Sequence, residues 1–164
     1  MDLNQRQRRL FQNTWTDCQK KKGTIGEKIY TRIFEIDPTV KDLFPYGNLD
    51  DFKDTIGFKN QALRFTKVIS DAGKACELNS ANFYLEFQKQ LINLGKSHVK
   101  LQTRGFHPDH WDLFVKSTLF VVEQEFFNTL NENEKADALQ AWKAMLMYII
   151  STMKAGFYGY YGDG

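Results

Sequence analysis

Apolar residues recur three and four positions apart over most of this chain, the spacing that gathers one stripe on a helix and leaves the other faces to water. Leu3, Leu10, Phe11, Trp15 and Cys18 share a stripe that stops at Gly23, and Ile25, Ile29, Ile33 and Phe34 form a second that ends near Pro38. Between Pro38 and Asp54 the period breaks; Pro45, Gly47, Asn48 and the aspartates 50, 51 and 54 predict a short helical turn followed by a loop. The period returns from about Asp54 to Ala72, pauses at a corner marked by Gly73, Asn79 and Ser80, and runs on through Phe83, Phe87, Leu91, Leu94, His98 and Leu101. Pro108 suits the first turn of a helix carrying Trp111, Phe114, Val115, Thr118, Leu119, Val122 and Phe126. A last helix, capped by Asn131 or Asn133, carries Leu139, Trp142, Leu146, Ile149, Ile150 and Met153. The pattern predicts an all-α domain over residues 1–155, and the Gly/Tyr-rich stretch 156–164 reads as a flexible tail.

A length of 164 residues with 42% hydrophobic and 15% aromatic content is enough for one sizeable core. The 22 basic and 20 acidic residues leave a formal charge of +2, and no basic cluster is interleaved with aromatics, so nucleic acid is not an expected partner. Lys20, Lys21 and Lys22 form the one basic run; beside Gly23 it reads as favourable charge at a helix C-terminus rather than a binding patch. No segment approaches the ~20 apolar residues that span a bilayer. The N-terminus lacks a secretory pattern, Asp2 excludes N-myristoylation and the Asp-Gly ending carries no prenylation cysteine, so a cytoplasmic protein without a membrane partner is expected. In that compartment Cys18 and Cys76, which lack metal spacing, are expected as reduced thiols.

His98 shares a helix face with Leu91, Leu94 and Leu101, which turns its imidazole toward an apolar interior. A histidine so placed is either a satisfied core residue or a metal ligand. Ser97 or the Leu94 carbonyl can take the ring N–H, the contact that orients a ligating histidine. Catalysis by the polypeptide itself has little support, because no GxSxG, HExxH, phosphate-cradling loop or cysteine–histidine constellation occurs.

Leu94-Gly95-Lys96-Ser97-His98 resembles the proximal-helix signature of globins, whose histidine is the fifth ligand of a haem iron. Phe34, Pro38 and Phe44-Pro45 fall where globins keep the end of the second helix, the corner proline and the phenylalanine that stacks on the porphyrin. Trp15 and Trp142 match aromatic positions of the first and last globin helices, and the resemblance covers residues 4–155. Gln61-Ala62-Leu63-Arg64-Phe65 is most similar to the intracellular globins of nematodes.

The resemblance implies haem b, with His98 as metal ligand, Phe44, Arg64, Phe65, Val68, Leu94 and Phe106 against the cofactor, and Tyr30 and Gln61 facing bound O₂. Leu43, Phe114 and Val115 are further lining candidates, for which plain core packing is an equal account. Arg64 is expected to pair with a haem propionate, its alternative being a solvated helix charge; Gln61 and Tyr30 have ordinary structural alternatives too. Within the globin frame a phenol O–H and an amide N–H stabilise O₂ as it gains negative charge, each by ~1–2 kcal/mol, which implies high affinity. A neutral amide ligates haem iron poorly compared with imidazole, so the unliganded ferrous state is expected to be five-coordinate. His107 and His110 are expected to face solvent on the proximal side. The interval from Gln61 to His98 is longer than usual in the family, as is that from His98 to Pro108, which places extra length near residues 73–82 and 100–105.

The resemblance implies oxygen storage, buffering or transport, with O₂ and other diatomic gases as partners and no enzymatic step. The alternatives are a haem-based redox or gas sensor and a nitric oxide dioxygenase that needs an external reductase. A homodimer is compatible with either, and a helical regulatory domain with His98 merely buried is the non-haem reading.

Overall fold

Short polar side chains start the helices. Asn4 Oδ1 accepts from Gln7 N at 2.8 Å while Gln7 Oε1 accepts from Asn4 N at 3.1 Å, a reciprocal cap on the first helix. Thr55 Oγ1 accepts from Phe58 N at 3.2 Å and Asn131 Oδ1 from Glu134 N at 2.8 Å, so Asn131 rather than Asn133 caps the last helix. The computed structural model describes residues 1–20, 25–77 and 81–162. They form α1 (Gln5–Lys20), α2 (Ile25–Ile36), α3 (Ile56–Ala75), α4 (Ala81–Ser97), α5 (His110–Glu125) and α6 (Glu132–Gly162), with 3₁₀ turns at Pro38–Leu43, Phe52–Asp54 and Val99–Arg104 and no strand among the described residues. The all-α expectation holds. Gly23, Lys21, Lys22, Asn79 and Ser80, which the sequence reading used as corner and charge signals, lie outside the described residues.

Four boundaries differ from the hydrophobic pattern. Gly73 lies inside α3, buried against the Trp15 ring, instead of marking a corner. The period through Leu101 is not one helix: α4 stops at Ser97, His98 sits in the turn, and the chain tightens into a 3₁₀ segment ended by Gly105 at φ 95°. Both geometries keep apolar residues on one side, so the spacing does not separate them. Pro108 precedes α5 rather than joining its first turn, with Trp111 N donating to the Pro108 carbonyl at 3.0 Å. The tail read from 156 onward is instead a continuation of α6 to Gly162, with Phe157 buried. Glycine disfavours a helix locally, but burial of Phe157 outweighs that propensity.

The core is built on α6. Trp142 is fully buried; its Nε1–H donates to Thr14 Oγ1 at 2.7 Å and its ring lies 4.7 Å from that of Phe11, which ties α6 to α1. α6 packs most extensively on α4, where two glycines bring the backbones together. A Cβ on Gly95 would fall 1.9 Å from the Met153 carbonyl oxygen, and one on Gly156 would fall 2.0 Å from that of Ile92. Neither neighbour can swing away, because each is main chain. Gly95→Ala is therefore expected to cost the upper end of the ~1–3 kcal/mol typical of overpacking. The checking measurement is a urea unfolding curve, whose midpoint falls at an unchanged slope.

Candidate functional site

A close helix crossing also sets the polar side of the internal cavity. A Cβ on Gly26 of α2 would lie 2.4 Å from the Ala62 carbonyl oxygen of α3, so only glycine permits the approach. One turn beyond Gly26 stands Tyr30, and beside Ala62 stands Gln61; Gln61 Nε2–H donates to the Tyr30 hydroxyl oxygen at 2.9 Å. Arg64 Nη1–H donates to Gln61 Oε1 at 3.2 Å. A guanidinium has no acceptor, so Gln61 must turn its oxygen to Arg64 and its NH₂ to Tyr30. The Tyr30 oxygen is thereby occupied as an acceptor, and among the described residues its own O–H proton has no protein acceptor.

Burial is the main influence on Tyr30 and raises its pKa well above the ordinary tyrosine value, outweighing the opposing Gln61 hydrogen bond. Its ring is enclosed by Phe114 at 5.3 Å, Phe44 at 5.9 Å, Phe65 at 6.2 Å and Phe34 at 6.4 Å between centroids. Burial also pushes Tyr46 up to about 12 and Tyr148 higher still. Unfolded tyrosines ionise near pH ~10, so unfolding above that pH releases protons and stability falls as pH rises through the alkaline range. In a spectrophotometric titration, these tyrosines are expected to stay silent at pH ~10–11 until the chain unfolds, whereas early ionisation would show an open cluster.

His98 lines the same cavity from the turn that follows α4. Its Nδ1–H donates to the Leu94 carbonyl at 2.7 Å, which leaves Nε2 as the ring's lone-pair nitrogen. Ser97 is not the partner; its hydroxyl donates to the same carbonyl at 2.7 Å. Burial, the largest influence, holds the His98 pKa below the ordinary histidine value and keeps the ring neutral at pH 7. Trp111 and Phe106 each pack 5.2 Å from the imidazole, centroid to centroid.

Tyr30, Gln61, Arg64, Phe65, Val68, Leu94 and His98 all border one cavity, as do Phe114 and Val115. Its volume is about 120 Å³. Phe44, Leu43 and Phe106 do not border it: Phe44 and Leu43 pack behind, against the core, and Phe106 backs onto His98. Arg64 is exposed and engages Gln61, the partner the sequence reading did not consider. His107 is exposed as expected, but His110 is half-buried beside Phe106 and accepts from His107 N at 3.0 Å. Trp111, Ile69 and the α6 residues Leu146, Ile149, Ile150 and Met153 complete the lining. Their helical spacing was visible in the sequence, but it reads equally as core.

The family model described as Globin matches residues 27–153. The chain belongs to the globin family. This globin is 30% identical to globin-related protein glb-13 of Caenorhabditis elegans over 94% of its length, and spans about half (52%) of that relative. It is 27% identical to neuroglobin of Danio rerio, covering 94% of this chain and 92% of the other. The crystal structure of a hexacoordinated heme protein from an anhydrobiotic tardigrade superposes with a TM-score of 0.78 over 96% of each chain, at 16% identity, which shows the shared fold.

As a globin this is a haem-binding protein, and its donor set suits that group. Among the described residues no group of three or more His, Cys, Asp or Glu is placed to hold a metal ion. A metal held by His98 would therefore need a prosthetic group such as a porphyrin to supply its other ligands. The oriented, neutral His98 ring and the apolar walls meet the remaining needs. No helix among the described residues is long and apolar enough to cross a membrane.

Proposed function

We propose that this globin holds haem b through His98 Nε2 and binds O₂ reversibly between that iron and the Tyr30–Gln61 pair. The observation that carries the reading is one apolar cavity lined both by an oriented imidazole and by a phenol whose proton has no acceptor among the described residues. Haem supplies the coordination of a diatomic gas. Tyr30 donates its free O–H to the ligand, and burial keeps that proton in place. Gln61 offers its second amide hydrogen and holds the phenol oxygen, while Arg64 fixes which way the amide points. Phe65, Val68, Phe114 and Val115 keep water from the ligand. A porphyrin is larger than the 120 Å³ cavity, so lining side chains would have to part to admit one, and the exposed Arg64 has N–H groups left for a propionate.

The fitting roles are storage, buffering or transport in the cytoplasm, without an enzymatic step, since the polar groups of the cavity are set to hold a ligand rather than to deliver protons. Successive cycles of oxygenation and evacuation of the reduced protein, followed optically, test this. Full return of the reduced spectrum in each cycle is expected; conversion to the ferric state on every exposure would instead favour a redox role with an external electron donor.

A further inference from the structure

The corner that leads into α5 is fastened by two imidazoles. His107 Nδ1 accepts from Asp109 N at 3.1 Å, and His110 Nδ1 accepts in return from His107 N at 3.0 Å. This is the reciprocal pattern of a capping box, with rings in the places that a hydroxyl and a carboxylate usually take. That exchange changes the chemistry. A hydroxyl or carboxylate accepts a main-chain N–H through the neutral and mildly acidic range, whereas a protonated imidazole has only donors. Both bonds therefore exist only while the rings are neutral.

The charged rings also have partners. Asp109 Oδ2 lies 3.4 Å from His107 Nδ1, and Asp37, ahead of the first 3₁₀ segment, is near enough to His110 for their charges to interact. Of the other charged groups around the corner, Arg104 ends the 3₁₀ segment before it, and Asp112 is engaged by Lys154 of α6 at 3.3 Å. The corner thus has two hydrogen-bonding states, one neutral and closed on the main chain, the other charged and paired with carboxylates. It carries Phe106, whose ring lies 5.8 Å from His110 and 5.2 Å from His98 between centroids.

We propose that His107 and His110 are positioning residues that form an acid-responsive latch: neutral, they hold Phe106 against His98, and on gaining protons they open the corner and loosen the grip on haem. The closed state binds fewer protons than the open one, so it is favoured at high pH and lost as pH falls through the range in which imidazoles ionise. The latch is a property of the chain itself; its effect on haem rests on the proposed function.

The test follows the main-chain amides of His107 and Asp109 by NMR in the haem-loaded, carbon-monoxide-bound full chain from pH ~8 to ~5. Haem transfer to an excess of a haem-scavenging apoprotein is measured over the same range. Glutamine replaces the rings in the variants, since its amide oxygen accepts a main-chain N–H and takes up no proton. Neither histidine borders the cavity, and His107 is exposed, so the variants alter the latch and not the site. Both amides are expected to shift together as pH falls. His107→Gln should silence the Asp109 amide alone, and adding His110→Gln should silence both. Titration of His98 is common to wild type and double variant, so the latch shows as the extra acceleration of haem transfer in the wild type. One linked proton contributes at most about tenfold per pH unit, and an excess of about tenfold at the acid end is expected. Amides that do not respond in the wild type, or that respond equally in the double variant, overturn the latch and leave the haem reading intact. Equal transfer profiles overturn its hold on His98. The amide titration needs no haem, so responding amides in a chain that takes up none would keep the latch and overturn the proposed function.

Discussion

His98→Gly is expected to lose haem while keeping the fold. Among the described residues His98 offers the one oriented imidazole in the cavity, so the variant gives up the protein's coordinate bond to iron. Each decade of affinity corresponds to ~1.4 kcal/mol, and haem absorbance per chain should fall at least ~10-fold at micromolar protein. Haem bound only by the folded state also stabilises it, so the gap in melting temperature between loaded and unloaded protein should shrink toward zero. The deletion leaves a space the shape of imidazole, and added imidazole is expected to restore the absorbance. A variant that keeps full haem content without imidazole would remove His98 from the site.

Tyr30→Phe is expected to have the largest effect on the ligand itself. The ring remains among Phe34, Phe44, Phe65 and Phe114, so packing is conserved and one O–H is lost. A hydrogen bond to a charged group contributes ~1.5–3 kcal/mol, and its loss should speed O₂ release by about 10- to 150-fold. Arg64→Met acts through Gln61: with nothing to fix the amide, its oxygen can turn to Tyr30 and take the phenol proton away from the ligand. Release should then quicken by a smaller factor, and Arg64→Lys, which also only donates, should recover most of the difference. Stopped-flow displacement of O₂ by carbon monoxide reads all three variants; unchanged rates in Tyr30→Phe would remove the phenol from the account.

The residues that meet in the cavity were legible where a spacing and a chemistry coincide. His98 could be placed because Leu91, Leu94 and Leu101 share its face, although its exact backbone state could not, since an α-helix and a 3₁₀ turn carry the same pattern over so few residues. Tyr30 and Gln61 were placed by resemblance; the crossing at Gly26 that brings them together depends on the distance between two backbones, which no periodicity encodes. Arg64 illustrates the same limit, because a solvated arginine and one that orients a buried amide look alike in a sequence. Trp111 was read as core, and it is core, but its contact with His98 depends on how α5 meets the turn after α4. The end of α6 was misjudged because glycine and tyrosine content suggests a tail, whereas Gly156 and Phe157 are fixed by what α4 and α5 present to them.

The anaerobic absorption spectrum of the reduced protein tests the central reading most directly. Gln61 offers a neutral amide, Tyr30 a phenol whose proton burial retains, and His107 and His110 lie with Phe106 on the His98 side. On the proposed reading, then, no strong second ligand would face the iron. The expected result is the single broad visible band of five-coordinate ferrous haem, replaced by a two-banded spectrum on adding O₂ and recovered on its removal. Two sharp visible bands before any gas is admitted would show a side chain already on the iron and would contradict the assignment of Tyr30 and Gln61 to the ligand.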